Sequence, residues 1–313
     1  MRGPKKIIVL GHTGFLGRSL CARLKSVFPG ADVYGISRRK GRATDVRARA
    51  LDIRNEKVVG ALLRRVRPDW IFHAAGSPGN AAPIELFEGH LLSTSALLEA
   101  ARTLRGKKPR IILTGSAAEY GAVGKKDLPV KESAPCRPIN PYGVAKSAQT
   151  ELGLLYARKN TDVLIARVFN LLGPGLDEKL ALSSFIDQIV RIERSGKNGV
   201  LRVGDLSPKR DFVDVSETAS ALIAIAGRGR SGEIYNICSG QSVSMRTLLR
   251  ELLRRSHASV RVQTDSARLR PADIPEMRGC PRKTARDTGW TASMTAFESL
   301  SRMLKSRRER TGR

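Results

Sequence analysis

The apolar run Ile7-Ile8-Val9-Leu10 passes directly into Gly11-His12-Thr13-Gly14-Phe15-Leu16-Gly17, and this junction narrows the possible folds more than any other stretch of the chain. An unbroken apolar run of this length, closed by a turn, reads as a strand buried on both faces, as in a parallel sheet. Glycines at the turn let the backbone approach an anion closely, and the helix that follows points its free N–H groups at that anion. The spacing is GxxGxxG rather than GxGxxG, and glycines also serve ordinary turns. The motif gains its weight from lying between a strand and a helix.

The same alternation continues along the chain. Strands are predicted at Lys6–Leu10, Asp32–Ser37, 69–75, 110–114 and Val163–Val168, and helices at 14–28, 57–66, 83–105 and 141–159. Strands alternating with helices through short connections imply parallel strands and right-handed crossovers, a doubly wound α/β sheet whose ligands sit at the carboxyl ends of the strands. After Asn170 the texture changes. Gly173-Pro174-Gly175 opens an irregular stretch, helices are predicted at 182–194 and 245–256, a turn and short strand at 196–204, and a strand at Val260–Thr264 before a Pro- and Arg-rich loop at 268–281. The division expected is a nucleotide-binding domain over 1–170, to which 211–238 returns, and a smaller lobe over 171–210 and 239–313.

The composition narrows the function classes. No apolar leader precedes the first strand, and no stretch has the roughly 18 apolar residues that span a bilayer, so a cytoplasmic protein with no membrane partner is expected. Cys21, Cys136, Cys238 and Cys280 are scattered without CxxC spacing or paired histidines, which reads as reduced structural thiols rather than a metal or disulfide framework. The net charge of +27 raises nucleic-acid binding. The charge is spread along the chain, aromatics make up 5% and no nucleic-acid motif is present, so a basic surface that steers a doubly anionic ligand is the simpler reading. The tail from Ser301 reads as a helix end followed by a frayed segment.

Two further places carry chemistry. The second strand ends in Ser37-Arg38-Arg39, where an NAD-selective site usually has an acid for the ribose 2′-hydroxyl. A hydroxyl and two guanidiniums suit a 2′-phosphate instead, which favours NADP(H) over NAD(H); the alternative is that these arginines belong to a generally basic surface. Tyr142-Gly-Val-Ala-Lys146 places a phenol and an ammonium on one face of a helix. A free tyrosine has a pKa of about 10, and a nearby ammonium together with a positive nicotinamide is expected to pull that value down. Ser116, after the strand at 110–114, is placed to donate to a carbonyl oxygen. Such Tyr–Lys pairs are common on helices, and the glycine turn and Ser116 upstream single this one out.

Together these segments resemble the extended short-chain dehydrogenase/reductase superfamily. The resemblance is carried by GHTGFLG, His73-Ala74-Ala75-Gly76, Gly115-Ser116-Ala117-Ala118-Glu119-Tyr120-Gly121, Pro141–Lys146, Arg167–Gly175, Lys209–Val215 and Tyr235–Gly240. It implies a Rossmann-like sheet with a smaller C-terminal substrate lobe, and a nucleotide-diphosphate sugar as substrate. Gly11, Thr13, Gly14, Phe15, Leu16, Gly17, Ser37, Arg38, Arg39, Asp52, Ile53, Ala74, Ala75 and Gly76 would line the cofactor, with Asp52-Ile53 beside the adenine. Ser116, Tyr142 and Lys146 would be catalytic, with Tyr142 and Lys146 also touching cofactor. Asn170, Arg210 and Arg270, with Ser116, would face the sugar nucleotide. The helices at 83–105 and 141–159 form a dimer interface in many relatives, so a homodimer is expected.

Missing residues narrow the reaction. Sugar-nucleotide 4,6-dehydratases carry an acid where this chain has Ala118, with Ala117 before it and Glu119 one step beyond. GDP-fucose synthases carry a cysteine at the Ala118 position and a histidine in the substrate lobe, whereas the histidines here are His12, His73, His90 and His257. His90 is itself a departure, since relatives commonly have asparagine there. GSAAEYG, Arg270–Pro275 and Asp287–Trp290 are most similar to reductases of GDP-linked 4-keto-6-deoxymannose, which form GDP-rhamnose. NADP(H)-dependent reduction of a 4-keto-6-deoxy sugar nucleotide is therefore expected. An NAD-dependent 4-epimerase, a 4,6-dehydratase and a non-catalytic dinucleotide- or nucleic-acid-binding protein remain as alternatives.

Overall fold

The computed structural model describes residues 3–38, 46–196, 198–269 and 274–311. Arg39 and Arg270 lie outside the described residues. In chain order the first half runs β1 (Lys6–Leu10), α1 (Phe15–Val27), β2 (Asp32–Ser37), β3 (Arg49–Ala50), α2 (Glu56–Val66), β4 (Trp70–His73), α3 (Pro83–Phe87), α4 (Ser93–Arg102), β5 (Arg110–Ser116), α5 (Pro141–Arg158) and β6 (Val163–Val168). The second half runs β7 (Asn170–Leu172), α6 (Ala181–Ser195), β8 (Gly199–Val203), β9 (Lys209–Asp214), α7 (Val215–Arg228), β10 (Ile234–Ile237), β11 (Ser242–Ser244), α8 (Met245–Arg254), β12 (Val260–Thr264), β13 (Glu276–Met277), α9 (Arg282–Thr288) and α10 (Ala296–Thr311).

The large sheet has the order β3-β2-β1-β4-β5-β6-β10 with every neighbouring pair parallel, the doubly wound arrangement that the alternation predicts. Its strands are apolar on both faces for a reason visible in β1: Ile7 and Val9 enter the core under α1 and α7, while Ile8 and Leu10 enter the opposite core under α2 and α4. The order reverses at β1, between β2 and β4, and such a reversal opens a crevice at the carboxyl ends of the strands. β10, with α7 before it, packs on the large sheet rather than with its sequence neighbours.

Local signals set the helix ends. Asn55 and Asn140 cap α2 and α5, each side chain accepting from the backbone N–H three residues on, and Pro141 opens α5. Ser244 does the same for α8, and Asp214 caps α7 by accepting from Ser216 N, two residues on. The segment read as one helix over 83–105 is three pieces, because a turn of π-helix at Glu88–Leu92 separates α3 from α4. α10 continues as helix to Thr311, so the helix end expected from Ser301 takes up all the described residues of the tail.

The remaining elements build the smaller lobe. β9 pairs with β11, β13 and, through its second half, β7, while β8 pairs with β12. A separate core of Leu182, Phe185, Ile189, Leu248, Leu252, Leu300 and Leu304 joins α6, α8 and α10. No helix among the described residues is long and apolar enough to cross a membrane.

Candidate active site

The glycine turn sits at the sheet reversal. Gly11 has φ +84°, and a Cβ there would lie 2.6 Å from the backbone of Ala75. A Cβ at Gly17 would run into the Gly11 carbonyl oxygen. Close packing of β1, α1 and the end of β4 therefore requires glycine at both positions. The start of α1 has Gly14 as its cap, with no side chain capping it and no acid in its first turn. That end of α1, with Thr13, Phe15 and Leu16 around it, suits a pyrophosphate by geometry and by the sign of the helix dipole. Ala74 continues from β4, donating its N–H to Leu10 O at 3.0 Å, so Ala74, Ala75 and Gly76 line the same crevice.

Along the crevice, Ser37 ends β2 and accepts from Leu51 N, and exposed Arg38 follows it. Asp52 lies close enough to Arg38 to feel its charge. Its carboxyl is held below the usual range chiefly by hydrogen bonds from Arg54, which clasps both Asp52 oxygens and also reaches Glu88 at 2.6 Å. The Arg54 bridge from Asp52 to the π-turn is a rim contact that no sequence motif announces. Ile53, beside it, is buried.

The proposed catalytic side chains converge from two elements. Ser116 ends β5, Tyr142 and Lys146 lie one turn apart on α5, and the Ser116 side chain lies close enough to the Tyr142 phenol to ease its ionisation. Lys146 is buried and donates to Thr114 O at 2.7 Å and Gln149 Oε1 at 3.0 Å, while Gln149 Nε2 donates to Thr94 Oγ1. An ammonium has three donors, so among the described residues two are engaged within the chain. Burial brings Lys146 down to about 8.

Within the chain alone, the Tyr142 phenol shifts opposite to the direction expected of it with Lys146 and a bound nicotinamide together. Burial pushes its phenol above the ordinary tyrosine value, and the Glu119 carboxylate pushes the same way. The Ser116 side chain opposes them only in part. Lys146 directs two of its hydrogens at Thr114 O and Gln149 Oε1. Tyr142 is a phenol that keeps its proton, ready as a donor.

Glu119 has both carboxylate oxygens engaged. It is 0% exposed, its Oε1 accepts from Ser116 N at 2.7 Å and its Oε2 accepts from Arg167 Nε at 2.8 Å. Together with the Ser116 hydroxyl, which accepts from Ala118 N, it closes a capping box on the turn Ala117–Glu119. Arg167 lies 4.7 Å over the Tyr120 ring and donates to Glu132 O and Cys136 Sγ. Sequence reading missed this pair because charged side chains are ordinarily surface residues.

On the lobe side, Asn170 and Arg210 stand on paired strands, β7 and β9. Asn170 Nδ2 donates to Asp211 O at 3.1 Å, and Arg210 donates to Ile274 O at 2.6 Å. Between them, buried Asp211 accepts from Ser239 N, Ser239 Oγ, Gly240 N and Gly279 N, tying β9 to the segments after β10 and β13. Asp211 is an anchor that sequence reading passed over inside Lys209–Val215. A separate cavity of about 460 Å³ opens behind Gly173–Leu176 toward Met303 and Arg307. Neither Ser116 nor Tyr142 lines it.

Comparison with known proteins shows the family and the fold. The model of the NAD dependent epimerase/dehydratase family matches residues 7–238. The chain is 30% identical over 305 residues to a GDP-6-deoxy-D-mannose reductase of Pseudomonas aeruginosa, covering 96% of each. It is 28% identical to a dTDP-6-deoxy-L-talose 4-dehydrogenase (NAD(P)(+)) of Kitasatospora kifunensis, covering 95% of this chain and 94% of that one. The solved structure of RMD from Pseudomonas aeruginosa complexed with NADPH superposes with a TM-score of 0.82 at 29% identity, covering 98% of both chains.

Proposed function

The chain belongs to the NAD dependent epimerase/dehydratase family, and on that premise we propose that it reduces the 4-keto group of a GDP-linked 4-keto-6-deoxy sugar, giving GDP-D-rhamnose, with NADP(H) preferred over NAD(H). The observation that carries this reading is that Tyr142, with Ser116 close by and Lys146 one turn along α5, has no free carboxylate beside it among the described residues. Glu119, whose charge reaches Tyr142, is locked onto Arg167, and Ala117 and Ala118 precede it. Dehydration needs an additional acid, whereas ketone reduction needs only one proton donor.

When bound, NADPH supplies the hydride that reduces the carbonyl carbon. Tyr142 gives its proton to the developing alkoxide, Ser116 stabilises that oxygen, and the remaining Lys146 donor holds the nicotinamide ribose. Gly11 to Gly17 receive the pyrophosphate, Asp52 and Ile53 border the adenine, and Asn170 and Arg210 face the sugar nucleotide, with Arg270 as a further substrate contact. The cofactor belongs to the domain of 1–170 with 211–238, and the sugar nucleotide to the rest. In a reductase each keto sugar turned over consumes one NADPH. A 4-epimerase would instead copurify with NAD and show no net consumption.

Cofactor selection rests on Ser37, Arg38 and Arg39. A charge-assisted bond to a 2′-phosphate contributes about 1.5–3 kcal/mol, so Arg38→Ala is expected to weaken NADPH ten- to hundredfold while leaving NADH nearly unchanged. Equal loss for both cofactors would remove Arg38 from 2′-phosphate recognition.

The pH profile follows from the two α5 groups. Burial lowers Lys146 to about 8 and raises Tyr142, so alkali removes the Lys146 charge while Tyr142 still holds its proton. Because kcat/KM reports groups of the free enzyme, reductive kcat/KM for NADPH should be level below pH 7 and fall about tenfold per unit well above pH 8. A profile level to pH 9.5 would contradict that assignment.

A cytoplasmic homodimer completes the reading. Ile84, Leu92, Val144 and Leu155 are exposed apolar residues on α3, the π-turn and α5, the helices that pair in many relatives. Leu92→Arg with Leu155→Arg should shift sedimentation toward the monomer, and an unshifted dimer would exclude this face.

A further inference from the structure

His90 lies in the π-turn between α3 and α4 and is 3% exposed. Its ring meets Tyr142 edge to face, with centroids 5.5 Å apart and planes at 77°. One ring nitrogen, Nε2, is 3.1 Å from Ser77 O; the other, Nδ1, is buried with no hydrogen-bond partner among the described residues. Bonding to a carbonyl requires Nε2 to carry the hydrogen, so the ring is the neutral Nε2–H tautomer. Burial, followed by the nearby Lys146 charge, brings His90 down to about 3, so the ring stays neutral at physiological pH.

The segment that His90 holds also covers the tyrosine. Gly76 packs directly on the imidazole, leaving no room for a Cβ. Gly79 lies over the other part of the site, where a Cβ would meet the Tyr142 ring at 3.6 Å. Ser77 is further fixed by its hydroxyl, which donates to Glu85 O at 2.9 Å, and it abuts Gly89 of the π-turn. The loop 76–80 and the imidazole thus bracket Tyr142. The extra residue of the π-turn puts His90 in this bracket, and such turns recur at functional sites.

We propose that His90 is a positioning residue, which through its Nε2–H bond to Ser77 and its ring contact with Tyr142 fixes the loop 76–80 and the phenol in one arrangement. Asparagine at this position would lack the ring that reaches Tyr142. The proposal rests on Tyr142 being the proton donor, and the two readings can be separated.

The test is His90→Asn in the full chain, assayed for NADPH-dependent reduction with GDP-4-keto-6-deoxymannose beside Tyr142→Phe. The expected result is a kcat at least tenfold lower with both KM values within about threefold of the unaltered enzyme, a split that general destabilisation would not give. An unchanged kcat, or a change in KM alone, overturns the role of His90. A fully active Tyr142→Phe enzyme overturns the underlying reading instead. If His90→Asn does not fold, imidazole nitrogen NMR of the unaltered enzyme decides. A neutral Nε2–H ring that does not titrate between pH 5 and 8 and exchanges slowly supports the proposal, and a titrating or fast-exchanging ring overturns it.

Discussion

Tyr142→Phe is expected to lower turnover about a thousandfold, within the 10²–10⁴ range contributed by a positioned general acid, while NADPH binds as before. The substitution removes one oxygen from a half-buried ring and leaves its packing against His90 and Gly79 in place. Because burial keeps the Tyr142 proton on the phenol, its loss falls on the step in which the alkoxide is protonated. Ser116 remains to stabilise the oxygen and Lys146 to hold the ribose, which is why some turnover should survive. Stopped-flow reduction and cofactor titration separate the two effects. Loss of NADPH affinity, with a normal rate from the bound complex, would assign Tyr142 to binding.

The largest effect on stability is expected at Glu119. Removing one member of a buried ion pair leaves the other charge uncompensated, at a cost of about 3–5 kcal/mol. Arg167, with 3% side-chain exposure, would keep only the Glu132 carbonyl, the Cys136 sulfur and the Tyr120 ring. Glu119→Ala should therefore lower Tm on the order of 10 °C. The exposed Arg54–Asp52 pair is a contrast, since a bridge in solvent contributes about 0–1 kcal/mol. Combining Glu119→Leu with Arg167→Met should recover much of the loss, because apolar replacement of both partners removes the buried charge. The Ser116 N–H would still lack its acceptor, so the double variant should be stable but slow. A Glu119→Ala protein melting within 2 °C of the unaltered chain, about 1 kcal/mol or less, would show that solvent or rearrangement compensates Arg167.

The large sheet was legible because each of its long strands is an apolar run that no surface strand tolerates, as in Ile7–Leu10 and Val163–Val168. The glycine turn and the Tyr142–Lys146 spacing were legible for the same local reason. The π-turn was not, because Ile84, Leu91 and Leu98 keep a seven-residue helical spacing across it, while Gly89 packing on Ser77 is a contact between segments. β7, β11 and β13 span two or three residues, too few for an alternating pattern. Glu119 and Arg167 are joined only by the β5–β6 pairing, which local pattern cannot register. The direction of the Tyr142 shift within the chain comes chiefly from burial, which the spacing of two residues on a helix face does not register.

The most direct measurement is NADPH oxidation by the purified enzyme against 4-keto-6-deoxy sugars linked to GDP, dTDP, UDP and CDP, with the products identified. The account predicts fastest consumption with GDP-4-keto-6-deoxymannose, one NADPH per sugar, and GDP-D-rhamnose as product. No consumption with any of the four, or a 4-epimer formed from a UDP-sugar with bound NAD and no net NADPH loss, would contradict it.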